Sequence, residues 1–217
     1  MSRKRVAVLI SGRGSNMAAL IEAAKAKDYP AEIALVLSNK PDAGGLATAR
    51  ATGIATEVVD HTAYGKDRVA FERALQGVLE KHSIDLVCLA GFMRLLTPWF
   101  VRHWQNRMLN IHPALLPAFK GIDTHRRALE GCATVHGASV HFVVPEMDSG
   151  PIILQGAVAV HADDTEAALA ARVLEVEHRI YPQALKLVAE GRVTVENDHC
   201  LINGVPVPNV ASLVPLV

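Results

Sequence analysis

Short runs of Val, Ile and Leu, most of them without an alternating polar residue, punctuate the first half of the chain at 5–10, 33–37, 55–59, 84–89 and 108–111. A strand wetted on one face alternates polar with apolar, whereas a strand covered on both faces does not. Between the early runs the spacing turns helical. Residues 15–27 place Met17, Leu20, Ile21 and Ala24 on one face, residues 43–51 form a second helical stretch ended by Gly53, and residues 68–81 form a third. Strand and helix in alternation predict a doubly wound, mostly parallel α/β unit.

The pattern changes after residue 132. Longer β-branched segments at 135–144 and 152–160 flank the cluster Pro145-Glu146-Met147-Asp148-Ser149-Gly150-Pro151, which predicts an antiparallel pair around a turn. Residues 165–190 then carry Ala168, Leu169, Ala171, Val173, Leu174 and Val176 early and Leu185 and Val188 late, the periodicity of a long helix that Pro182 should kink or break. Short strands at 193–195, 200–202 and 205–207 complete an antiparallel C-terminal extension. No repeat or long linker interrupts the chain, so a single domain over 1–217 is expected, with an α/β half over 1–118 and a hairpin-and-helix half over 119–217.

Charge excludes some partners. With 22 basic residues against 22 acidic ones, nothing calls for nucleic acid or a membrane surface, and a small-molecule partner is expected. The apolar runs fall well short of the ~20 residues of a membrane span, and Met1-Ser2-Arg3-Lys4-Arg5 leads directly into a strand pattern, so the expected setting is cytoplasmic. Cys88, Cys132 and Cys200 are odd in number and widely spaced, which argues against disulfides and zinc and predicts three buried small hydrophobes. His136 and His141 lie five apart with no H-E-x-x-H, so no catalytic metal is expected.

Chemistry concentrates in a few places. At the end of the run 108–111, Asn110 and His112 stand two apart, so on a strand their side chains face one volume, and Pro113 and Pro117 stiffen the loop that follows. Ser11-Gly12-Arg13-Gly14-Ser15-Asn16 joins the first strand to the first helix, where free backbone N–H groups favour an anion; a tight turn needing glycine only for its φ accounts for the same residues. The loop lacks a Walker Lys-Ser/Thr and a third dinucleotide glycine, which favours a sugar phosphate over a nucleotide cofactor. Asp148 reads either as a turn carboxylate or, if close to His112, as the group that favours the protonated ring. The stretch 89–96 reads either as an apolar slot or as a strand end entering the core. His125, near the start of an expected helix, is either a binding group or a cap neighbour.

Ser11-Gly-x-Gly-Ser-Asn16, Leu89-Ala-Gly-Phe-Met-Arg94, Asn110-Ile-His-Pro-x-Leu-Leu-Pro117, His136-Gly-x-Ser-Val-His141 and Asp148-x-Gly-Pro151 together resemble the phosphoribosylglycinamide formyltransferases, in order and spacing, across almost the whole chain. The resemblance implies a Rossmann-like fold and transfer of a formyl group from 10-formyltetrahydrofolate to glycinamide ribotide in purine synthesis. It implies Asn110, His112 and Asp148 as the catalytic trio, and Gly14, Ser15, Asn16 and Glu177 as ribotide contacts. It further implies a folate pocket of Arg68, Met93, Arg94, Leu95, Leu96, Asn110, Val144, Pro145, Glu146, Met147 and Asp148, with 10-formyltetrahydrofolate as co-substrate, no metal, and a monomer or homodimer. Ala114 and Ser149 stand where the family often has Ser and Gly, which touches loop conformation rather than reaction type. The alternatives are a formyltetrahydrofolate hydrolase, another formyltransferase with the same Asn-His-Asp site, or a ligand-binding module, which would have no need of the trio.

Overall fold

The computed structural model describes residues 3–207, so Met1, Ser2 and 208–217, which the expected single domain includes, lie outside the described residues. The chain divides into two compact units, Met1–Asn110 and Ile111–Val217, with the boundary inside a strand rather than at residue 118.

Unit 1 runs β1 (Lys4–Ile10), α1 (Ser15–Ala24), β2 (Ala31–Ser38), α2 (Gly44–Ala51), β3 (Ala55–Val58), a 3-10 turn (His61–Tyr64), α3 (Arg68–Lys81), β4 (Leu86–Leu89), α4 (Pro98–His103) and the start of β5 (Met108–His112). Its strands lie in the order β3-β2-β1-β4-β5 and all pair in parallel, as the lack of polar alternation implied. Val6, Ala7, Val8, Leu9 and Ile10 are fully buried, the signature of a strand covered on both faces. The chain moves outward from β1 to β3 and returns to β4 on the far side of β1. That reversal opens a crevice at the carboxyl ends of β1 and β4, the place where sheets of this kind bind ligands.

The buried face of α1 is Met17, Leu20, Ile21 and Ala24, as the spacing predicted, but the helix stops at Ala24 rather than residue 27. Lys25 and Ala26 donate to carbonyls three residues back, and this tightening ends the α pattern. Helix α4 has no counterpart in the sequence expectation. It spans six residues behind Pro98 and buries only Phe100 and Val101, too short a stretch to display a period.

Unit 2 holds the end of β5, then α5 (Thr124–Glu130), β6 (Val135–Phe142), β7 (Ile152–Ala159), α6 (Glu166–Ala189), β8 (Val193–Glu196), β9 (His199–Ile202) and β10 (Val205–Pro206). The strand order is β5-β6-β7, with β6 and β7 antiparallel, and β10-β9-β8 form a separate antiparallel sheet. Helix α6 packs on β6, β7 and α5.

Two expectations are corrected here. Pro182 lies inside α6, yet it does not break the helix, which is continuous from Glu166 to Ala189. An internal proline costs about 3 kcal/mol, while each large apolar side chain fully buried returns about 1.5–3 kcal/mol. Tyr181, Ala184 and Leu185 around it are fully buried, so tertiary packing outweighs the lost N–H. Cys132, expected inside, is exposed in the turn after α5 at φ 50°, whereas Cys88 and Cys200 are buried as expected. Burial pushes the Cys200 thiol up to about 12, so it stays protonated and inert.

Candidate active site

In unit 1, a cavity of about 270 Å³ sits at the crevice beyond β1 and β4, lined by Ser11, Arg13, Gly14, Ser15, Asn16 and Lys40 together with Gly91 and Met93. Gly14 occupies the N-cap of α1 at φ 74°, a left-handed conformation that glycine adopts without a Cβ penalty. No side chain caps the helix and its first turn holds no acid, and the leading turn carries the positive end of the helix dipole. Arg13 and Lys40 add two cationic side chains, neither of which pairs with a carboxylate among the described residues. These groups give the cavity a positively charged lining.

The stretch 89–96 divides between the two readings. Leu89, Ala90 and Phe92 are buried core, whereas Met93 is 74% exposed and Leu95 66%, with Arg94 and Leu96 half-buried, so 93–96 is a solvent-facing strip. Arg94 lies over the Phe71 ring, 6.0 Å from its centroid, and exposed Arg68 opens α3.

In unit 2, His112 is 5% exposed and its Nδ1 lies 3.4 Å from Asp148 Oδ2, an ion-pair distance longer than a tight hydrogen bond. On the other edge of the ring, Nε2 lies 3.0 Å from the Phe119 carbonyl oxygen. Two oxygens thus face the two ring nitrogens, the arrangement that a doubly protonated imidazolium satisfies in full. Asp148 is held from several sides. Its Oδ2 accepts from Gly121 N at 2.8 Å, and its Oδ1 lies 3.9 Å from Nε2 of His141 on β6.

The turn that carries Asp148 is tightly specified. Asp148 itself has φ 49°, a left-handed conformation in which Asp is tolerated better than most residues. A Cβ on Gly150 would sit 1.8 Å from the Phe142 carbonyl oxygen, so only glycine lets the chain turn this close to the end of β6. Met147 is exposed, as are Pro145 and Glu146, while Val144 is half-buried. The loop after β5 is fixed from β6 and β7: Leu116 N donates to Ser139 Oγ, Ser139 Oγ donates to the Ala114 carbonyl, and Gln155 Nε2 donates to the Leu116 carbonyl.

Other histidines lie around this site, and burial lowers the proton affinity of each. His136 Nε2 lies 3.2 Å from His125 Nδ1, and the Phe119 ring meets His136 edge-on at 5.7 Å. Burial, helped by the charges of His125 and His112, pushes His136 down to about 4. Burial also lowers His125, against the raising influence of Glu166, and lowers His141, whose Nδ1 lies 2.9 Å from the Phe142 carbonyl oxygen.

The structure therefore brings His112, Asp148 and His141 together within unit 2, and Gly14, Ser15 and Asn16 together within unit 1. Asn110 is half-buried on β5, two residues before His112 on the same side of the strand, and Glu177 is buried on α6. Lys40, Phe119 and Gly121 were missed. Lys40 follows an apolar strand with no motif around it, and the parts of Phe119 and Gly121 are played by a backbone carbonyl and an N–H, which side-chain chemistry does not reveal. Among the described residues, no group of three or more His, Cys, Asp or Glu side chains could hold a metal ion, and no helix is long and apolar enough to cross a membrane.

Residues 4–185 match the model of the formyl transferase family, and the chain belongs to that family. The chain is 45% identical over 203 residues to the phosphoribosylglycinamide formyltransferase of Escherichia coli, covering 94% of this chain and 95% of that protein. It is 53% identical over 191 residues to the human trifunctional purine biosynthetic protein adenosine-3, covering 88% of this chain but only 19% of that longer relative. Among solved structures, the phosphoribosylglycinamide formyltransferase of Coxiella burnetii superposes with a TM-score of 0.91 at 40% identity, covering 99% of this chain and 100% of that one.

Proposed function

We propose that the chain is an enzyme that transfers the formyl group of 10-formyltetrahydrofolate to the amine of 5-phosphoribosylglycinamide, a step of purine biosynthesis, by direct attack. The observation that supports this most is the pairing of buried His112 with half-buried Asp148, an acid–base unit at 3.4 Å in a chain so similar to enzymes named for that reaction.

In this reading the ribotide amine attacks the formyl carbon and a tetrahedral intermediate forms with its charge on oxygen. Asn110 Nδ2–H and protonated His112 stabilise that oxyanion; one lost donor of this kind costs about 10²–10³ in rate. Asp148 orients the ring and balances its charge. The C–N10 bond then breaks, and the proton released by the former ammonium reaches N10 through His112 or an ordered water. Gly14, Ser15 and Asn16 take the phosphate and Glu177 helps hold the ribotide. Arg68, Met93, Arg94, Leu95, Leu96, Asn110 and the turn from Val144 to Asp148 take the folate. No covalent nucleophile and no metal enters the scheme. The partners are small molecules, the enzyme works as a monomer or homodimer, and a cytoplasmic setting goes with the reading.

Difference absorbance of 10-formyltetrahydrofolate, with glycinamide ribotide supplied or withheld, tests it. Folate turnover only with ribotide is expected. Equal turnover without ribotide means transfer to water and a hydrolase, and none in either arm means that the chain is no formyltransferase of these substrates.

A further inference from the structure

Within unit 1, one hydroxyl joins the two surfaces that the proposed function assigns to different ligands. Ser11, 7% exposed at the end of β1, belongs to the anion loop and lines its cavity. Its Oγ donates to Asn39 Oδ1 at 2.6 Å and accepts from the backbone N–H of Met93 at 2.8 Å. Ser11 N also donates to the Gly91 carbonyl at 3.2 Å. Asn39 is in turn 1% exposed and anchored, with His61 Nδ1 2.8 Å from its carbonyl oxygen and 3.2 Å from its Nδ2. The hydroxyl thus has a fixed donor direction and a fixed acceptor direction, and the acceptor holds the first residue of the exposed strip 93–96.

The far end of that strip is fixed independently. Glu72, fully buried on α3, accepts from Thr97 N at 2.6 Å and from Thr97 Oγ1. Four residues that expose Met93 and Leu95 to solvent are therefore strung between two buried polar anchors, of which only Ser11 is also part of the anion loop. Packing cannot hold such exposed apolar side chains in place, so the backbone anchors must.

We infer that Ser11 is a positioning residue that couples the anion loop to the strip 93–96, so that an anion bound at Gly14–Asn16 sets the conformation of the strip through Ser11 Oγ and Met93 N–H. Removing the hydroxyl takes away the donor to Asn39 Oδ1, on a residue that is 1% exposed, and the acceptor of Met93 N–H. The inference rests on the proposed function for the identity of the two ligands, but not for the link itself.

Inorganic phosphate is the probe for the link. With amide-labelled protein, titration is expected to shift the resonances of Gly14, Ser15 and Asn16 and also that of Met93. In Ser11→Ala the loop resonances still shift while Met93 no longer responds, and Ser11→Thr, which keeps the hydroxyl, restores the response. On full substrates, Ser11→Ala is expected to raise KM about tenfold for both ribotide and folate, with Ser11→Thr within about threefold of the wild type. A purely structural role would lower the melting temperature of Ser11→Ala and leave the Met93 response intact. A Met93 resonance that ignores phosphate in the wild type, or follows it equally in Ser11→Ala, overturns the inference. Loss of turnover in the wild type with the Met93 link intact would overturn the substrates and spare the coupling. No shift at Gly14–Asn16 would remove the anion loop and this inference with it.

Discussion

Unit 1 gathers fixed backbone groups at its crevice, and unit 2 gathers titratable side chains around a turn. In unit 1 the crevice of a parallel sheet presents helix N–H groups, a left-handed glycine and two cationic side chains. In unit 2 an imidazole, a carboxylate and a second imidazole crowd behind a turn whose geometry only glycine at position 150 allows. The proposed function separates binding from chemistry along this division. Loss of an anion contact should appear in KM, and loss of an acid–base group in kcat.

Exchanging the two kinds of loss gives the sharpest predictions. His112→Ala and Asp148→Asn should each lower kcat by about 10²–10⁴-fold, with the ribotide Kd from calorimetry nearly unchanged; full turnover by either variant excludes its role. Asn16→Ala, or a bulky replacement of Gly14, should do the reverse, raising ribotide KM about 10- to 100-fold, a loss of about 1.4 kcal/mol per factor of ten. An unchanged Kd in those variants would refute the phosphate assignment.

The units also differ in acid sensitivity. His125, His136, His141 and His178, the histidines whose proton affinity burial lowers, are all in unit 2. A histidine at about 4 when folded and near 6.5 when unfolded takes up a proton on unfolding between those values. Its contribution is complete above about 6.5 and is lost as pH falls towards 4. Denaturant midpoints should fall over that window, and hydrogen exchange should rise first in β6 and α5; a flat midpoint across it would contradict the burial of these rings. The smallest expected effect is at the start of α6, where Thr165 Oγ1 accepts from Ala168 N at 3.2 Å. Thr165→Ala should cost about 1 kcal/mol in chemical denaturation and leave kcat alone.

The same division explains what the sequence could tell. The parallel sheet was legible because burial on both faces leaves a continuous apolar run, and the buried face of α1 because its four positions obey one period. Helix α4 escaped because six residues cannot show a period, and Pro182 misled because propensity is local while the burial that overrides it is not. At the site, Asn110, His112 and Asp148 stood out by residue type and motif. The contacts of His112 and Asp148 did not, since Phe119 and Gly121 act through backbone groups, and neither did the Ser11 hydroxyl in unit 1, whose partners lie 28 and 82 residues away.

That His112 and Asp148 act as one unit is tested most directly by the turnover of the double variant beside the two single ones. If the carboxylate works only through the ring, His112→Ala combined with Asp148→Asn should be no slower than His112→Ala alone, within about threefold. Losses that multiply, with the double variant slower by the product of the two single factors, would mean that each group acts separately and would contradict the paired mechanism.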